Sequence, residues 1–342
     1  MLPGDVHRLE LPTPFAIGPV SSWALRGEPL TLVDPGPRMD RTREALERGL
    51  RDLGLSVEDV ELLVLTHQHH DHVGLAAEVR ERSGAPVAAT ARLAAFLADF
   101  DGAMDRDDAY AVATMVRHGL DEATRATLNA ISRGFRRYSA GVTVDRTLAG
   151  GDALVAGGRI LRVHERPGHS PTDTVFHDEA TGLLVGGDHM LERISSNPIA
   201  HAPIDARDPA AVAASPDRPR PLVAYLDSLH ATAALDVGTI LPGHGEPFSG
   251  HRELLDKREE MHARRLKRIL RAVDGRRTAA DMTGVLWRSL PVTQAYLALS
   301  EVLGHLDLLA RDGLVREAER DGRVVWTRGP QIPRSTEARA AA

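Results

Sequence analysis

Residues 66–72 read Thr-His-Gln-His-His-Asp-His, and no other stretch limits so tightly what the chain can fold into. Four imidazoles and a carboxylate within six positions are too polar for a packed core. The segment follows Val60-Glu-Leu-Leu-Val-Leu65, a nearly continuous apolar run of the kind that forms a buried strand. On extended backbone His67 and His69, two residues apart, point the same way. Asp71 and His72 come where the chain should turn into a helix, so they aim at a neighbouring point. The spacing suits two adjacent cations, one held by His67 and His69, the other by Asp71 and His72. Nitrogen and oxygen donors without thiolate fit Zn²⁺, Mn²⁺ or Fe²⁺. The chain has no cysteine, which also removes disulfides and thiol nucleophiles.

Three later segments each end a strand with one ligand-capable residue in a glycine-flanked turn. They are Pro167-Gly-His169-Ser-Pro-Thr172, Leu184-Val-Gly-Gly-Asp188 and Leu241-Pro-Gly-His244-Gly245. Glycine lets backbone bend closely around a site, and loops at strand ends converge. His70 is expected to face away from its neighbours. His189 and Ser195-Ser196-Asn197 lie close enough in sequence to Asp188 to line a pocket, though a plain loop is the simpler expectation for the latter. His164, His177, His201 and His230 read as surface or satisfied core residues.

The surroundings are those of an ordinary globular protein: 342 residues, 42% hydrophobic and 26% charged, with a net charge of −6 that excludes a general DNA-coating role. No basic, apolar leader opens the sequence and no run approaches the ~20 apolar residues that span a bilayer, so a cytoplasmic enzyme is expected. Strands are expected at Val6–Leu11, Ser22–Arg26, Leu30–Val33, Val142–Asp145, Arg159–Val163, Thr174–Phe176, Gly182–Val185 and Val237–Leu241. Helices are expected at Arg41–Leu53, across Ala91–Tyr138 and at Leu222–Leu235. Pro203–Pro221 reads as a loop. From His251 the chain changes character: a long charged helix over Arg252–Val273, two helices at Thr278–Leu286 and Gln294–Asp312, then a hairpin turning at Asp321-Gly322. That order is the pattern of a winged helix-turn-helix, and a frayed tail is expected over 329–342.

With these motifs in this order, residues from about Val6 to Gly250 resemble the metallo-β-lactamase superfamily. The resemblance implies an α+β chain: an αβ/βα sandwich over residues 1–250 with a helical insert at about 101–138, followed by a linker helix and small winged-helix domain over 251–328. Carried onto this sequence, His67, His69 and His169 would hold the first metal. Asp71, His72 and His244 would hold the second, with Asp188 bridging. The complete His-x-His-x-Asp-His motif is similar to that of the two-metal hydrolase branch, Zn²⁺ being the expected ion. The β-lactamases themselves generally differ at the second site, which argues against antibiotic hydrolysis.

Two metals in that arrangement share a water and lower its pKa toward ~7, giving a bridging hydroxide that attacks an ester, thioester or phosphodiester. Asp71 and Asp188 are the expected catalytic carboxylates. The favoured substrate is a small ester or thioester, of the acyl-coenzyme A or carrier type. Glyoxalase II-like hydrolases share the ligand set, but their glutathione-binding helices are not recognisable here. The insert is either ordinary core or an apolar lid for an acyl group, and Arg125, Arg133, Arg136 and Arg137 either bind an anionic handle of the substrate, such as a phosphate, or form a solvated face. The C-terminal segment resembles the winged-helix tail of the branch that includes the β-lactamase-like protein 2 ribonucleases. Residues 251–328 hold 16 basic and 12 acidic side chains, with a basic run at Arg264, Arg265, Lys267, Arg268 and Arg271. That makes single-stranded RNA the alternative substrate, or the run a dimer contact. A winged-helix DNA-binding regulator is the third reading. No membrane partner is expected.

Overall fold

The computed structural model describes residues 2–330, so the expected tail lies outside the described residues from position 331 onward. Two mixed sheets lie face to face. The first carries six strands in sequence order: β1 (Val6–Leu11), β2 (Val20–Leu25), β3 (Thr31–Val33), β4 (Leu62–Val64), β5 (Val87–Thr90) and β6 (Arg146–Leu148). It is antiparallel through β3 and parallel from β3 to β6. The second runs β11 (Thr239–Pro242), β10 (Leu183–Gly187), β9 (Thr174–Asp178), β8 (Arg159–Glu165), β7 (Ala153–Ala156), with only the β10–β11 pair parallel.

Strand alternation divides the apolar side chains between layers. Leu62 and Val64 join Trp23, Leu161, Val163, Phe176 and Leu241 between the sheets. Leu63 and Leu65 face outward onto the helices α1 (Asp40–Asp52), α3 (Ala76–Ser83) and α4 (Ala91–Ala98). Burial on both faces is why Val60–Leu65 shows no polar alternation. The Trp23 indole N–H donates to the Pro242 carbonyl at 3.1 Å and ties the sheets at the edge where the histidine segment emerges.

The result is the αβ/βα sandwich that the sequence implied. Some elements differ. The strand expected at Val142–Asp145 begins instead at Arg146, because Val142 packs under the helices and Asp145 is held by Arg80 and the Val87 N–H. β5 and β7 were not expected. Within the expected loop, α7 (Pro209–Ala214) forms behind an Asp208 cap that accepts from the Ala211 N–H at 3.0 Å, with proline in its first turn.

The insert forms α5 (Phe100–Arg117) and α6 (Glu122–Phe135). The C-terminal segment forms α9 (His251–Ala272), α10 (Ala279–Leu286), α11 (Ala295–Arg311) and a hairpin, β12 (Val315–Arg320) with β13 (Arg323–Arg328). Asp321 and Gly322 both have positive φ, as a two-residue hairpin turn of this hand requires. These two regions share one core, in which Met115 and Leu128 of the insert pack with Ile269, Met282, Leu303, Leu306 and Trp326. Every residue of α11 from Ala298 to Leu309 is buried. Its Gly304 abuts Leu222 of α8 (Pro221–Ala233), so closely that a Cβ there would lie 2.6 Å from the leucine Cβ. Among the described residues, no helix is long and apolar enough to cross a membrane.

Candidate metal centre

The histidine segment leaves β4 and turns at once into the one-turn helix α2 (His70–Val73), for which His69 is the N-cap residue. Asp34, just after β3, fixes this turn. One of its oxygens accepts from the Thr66 N–H at 2.9 Å, and the other accepts from the Thr66 hydroxyl at 2.6 Å. The second oxygen also lies 2.8 Å from His72 Nδ1. With its proton given to Asp34, the Thr66 hydroxyl can accept from His67 Nδ1, 2.9 Å away. These bonds leave Nε2 of both His67 and His72 as free lone pairs aimed at the strand ends.

Three nitrogens meet there. His69 Nδ1 lies 3.1 Å from His67 Nε2 and 3.0 Å from His169 Nε2. The His169 ring is held through Nδ1 by the Asn197 carbonyl at 3.1 Å. Beside them Asp71, His72 and His244 form a second group, with Asp71 Oδ2 3.3 Å from His244 Nε2. His244 is oriented by the Pro19 carbonyl, 2.8 Å from its Nδ1. Asp188 lies between the groups: its Oδ2 is 3.6 Å from both His169 Nε2 and His244 Nε2, and its Oδ1 is 3.4 Å from His72 Nε2. The structure thus brings together all seven residues singled out in the sequence. Gly243 makes the approach possible, since a Cβ there would lie 2.1 Å from Asp188 Oδ1.

The donor set fits a pair of divalent ions. His72 Nε2, His244 Nε2 and Asp188 Oδ1 are buried and lack any hydrogen-bond partner, which is costly unless a cation accepts their lone pairs. Electrostatics agree. Burial, followed by the His169 ring, pushes His69 down to about 3, so it stays neutral as a ligand must. Burial alone would raise Asp71 and Asp188. The His244 and His72 imidazoles overcome it, bringing Asp71 to about 2 and Asp188 well below the usual carboxylate range. Burial would lower His72 and His244, yet Asp188 raises both, aided by Asp34 at His72 and Asp71 at His244. The carboxylates around His72 and His244 thus favour positive charge, as a cation site requires.

A cavity of about 420 Å³ opens from His69 and His169. Met104, Val112, Met115, Leu128, Ile131 and Phe135 of the insert line much of it, and the first four of these also pack into the core. Two contributions were not anticipated: Tyr296 and Leu297 from α11, and His70, whose ring stands in the wall beside Phe100. His201 also lines the wall. His189 instead bonds Thr232 of α8 at 2.9 Å, and Ser196 holds the Asp188 carbonyl; neither lines the cavity. Arg136 is not free to bind an anionic group, because Asp105 and Asp108 engage it, and Arg137 packs on Tyr138. His177 bonds the Asp236 carbonyl and His230 pairs with Glu259, away from the centre.

The sequence profile of the metallo-beta-lactamase superfamily matches residues 16–244. The chain is 30% identical over 308 residues to the probable metallo-hydrolase YqjP of Bacillus subtilis (strain 168), covering 89% of this chain and 92% of that protein. Among solved structures it is similar to the metallo-beta-lactamase family protein TTHA1429 of Thermus thermophilus, at 28% identity and a TM-score of 0.76, covering 96% of this chain and 100% of that one. It is also similar to a beta-lactamase domain protein of Burkholderia ambifaria, at 29% identity and a TM-score of 0.80, covering 96% and 93%.

Proposed function

The chain belongs to the metallo-β-lactamase superfamily, and from that premise we propose that it is a two-metal hydrolase of a small ester or thioester with an apolar acyl group. One observation carries the reading: the convergent donors open directly into an apolar cavity walled by the insert. His67, His69 and His169 would hold one ion, Asp71, His72 and His244 the other, and Asp188 would lie between them. When bound, such ions supply an activated water at neutral pH and polarise the carbonyl under attack. The chain's own groups do the rest. Asp34, Thr66, Asn197 and the Pro19 carbonyl fix the rings of His72, His67, His169 and His244. Asp71 Oδ2, held ionised, can accept a hydrogen bond from the attacking water and so orient it. The apolar wall excludes bulk water and grips the acyl chain, so that the carbonyl lies over the ligand cluster.

RNA cleavage through the C-terminal segment has less support. The helix that precedes the hairpin is buried from Ala298 to Leu309, so most of it offers no face to a nucleic acid. Much of the basic run is also engaged: Arg265 with Glu301, Arg264 with Glu260, and Arg268 with the Val285 carbonyl.

The test is a panel of acyl thioesters and esters beside a single-stranded RNA, assayed on metal-loaded protein with and without chelator. Chelator-sensitive acyl hydrolysis, lost in Asp188→Ala, is the expected result. RNA cleavage lost in the same variant, with no acyl turnover, would replace this reading.

A further inference from the structure

The cavity wall holds one carboxyl group that no side chain among the described residues pairs with. Asp107 of α5 lines the same cavity as His69 and His169. Its Oδ1 accepts from the Ala202 N–H at 3.1 Å, and no side chain among the described residues pairs with either oxygen. The neighbouring charges are spent elsewhere. Arg106 bonds Asp99, while Arg136 and Ser132 satisfy Asp108. Tyr296, the polar neighbour from α11, gives its hydroxyl proton to the Ala200 carbonyl. Asp107 is half-buried and faces the cavity; loss of solvent around a lone carboxylate is costly, and it pushes this one up to about 7. An Asn or Leu would fill the position without that cost, so the charge calls for a partner that enters with the ligand.

Building on the acyl-hydrolase reading above, we propose that Asp107 is a specificity residue that selects acyl groups whose far end carries a hydrogen-bond donor, a protonated amine above all. The metal-ligand end of the cavity takes the carbonyl, the insert covers the methylenes, and Asp107 receives the terminal group. A chain ending in a carboxylate would bring a second acceptor to an ionised Asp107, and a plain alkyl chain would cover Asp107 without pairing it.

The test uses product-like ligands, so it does not depend on the leaving group. Metal-loaded protein is titrated calorimetrically with 4-aminobutyrate, 6-aminohexanoate and 8-aminooctanoate, and with butyrate, hexanoate and octanoate. At one chain length the amine should bind about tenfold more tightly than its alkanoate, the scale of one charge-assisted hydrogen bond. In Asp107→Asn, which keeps the shape and the acceptor for Ala202, that ratio should fall to near one while alkanoate affinity stays or rises. A purely structural Asp107 would leave the ratio unchanged. Alkanoates that bind without any amine preference would overturn the specificity proposal and leave the acyl reading standing. Failure of both series to bind would remove the acyl reading and this proposal with it.

Discussion

At the residue scale the centre is held by groups outside the ligand set. Asp34 is the clearest, since a single carboxylate accepts from the Thr66 backbone, the Thr66 hydroxyl and His72. In sequence it stands in Asp34-Pro-Gly-Pro37, which reads as a turn, and nothing local says that its side chain reaches residues some thirty positions on. Removing such an outer partner commonly weakens metal binding by about 10–100-fold. Asp34→Ala should therefore retain less divalent metal per chain than the parent after dialysis, as elemental analysis would show. An undiminished metal content would deny Asp34 this role. Gly243 sets a geometric limit of another kind. In Gly243→Ala the added methyl meets Asp188 Oδ1, and a displacement near 1 Å lowers rate by about 10²-fold. The expected outcome is a kcat loss of that order with an unchanged far-ultraviolet circular dichroism spectrum.

At the element scale, the legible parts were those whose chemistry is local. The histidine segment, the glycine-flanked turns at 169, 188 and 244, and the Asp-Gly hairpin each announce themselves within a few residues. β5 was hidden because Val87-Ala-Ala-Thr90 is short and alanine-rich, and its strand state comes from pairing with β4 and β6. The contribution of α11 to the cavity was hidden because Tyr296 and Leu297 arrive from the far end of the chain. α11 also carries Asp307, whose carboxylate forms two bonds, at 2.7 and 3.0 Å, with the buried guanidinium of Arg218. Removing Asp307 leaves Arg218 with only the longer Glu317 contact, at 3.5 Å, and breaking such a buried pair costs up to about 3–5 kcal/mol. Asp307→Ala should lower stability by that amount in urea unfolding, and the paired change Arg218→Met with Asp307→Leu should recover most of it. A loss below about 1 kcal/mol would show that water reaches the arginine. At the end of α6, Phe135 meets Phe15 edge to face, with ring centroids 5.1 Å apart. Phe135→Ala should raise KM for long acyl chains more than for acetyl, with little change in melting temperature. Equal effects on both would place the acyl chain elsewhere.

At the scale of the whole molecule, the boundary near residue 250 is one of sequence character more than of packing. The sandwich has its own core between the sheets, but the insert buries Met115 and Leu128 against α9, α10 and α11, and α11 rests on α8 through Gly304. The cavity takes its wall from both sides of that boundary. A helix buried from Ala298 to Leu309 cannot be peeled away without exposing the core it shares with the insert and the Arg218–Asp307 pair together. The C-terminal segment is therefore expected to unfold with the sandwich and not after or before it. Scanning calorimetry of the metal-loaded chain should show one transition and not two. Asp307→Ala, a change in the C-terminal segment, should move that whole transition down, and acyl-hydrolase activity should be lost along the same curve. Two separated transitions, with activity surviving the first, would mean that the sandwich and insert hold the cavity unaided and that α11 is a later addition to a wall already complete.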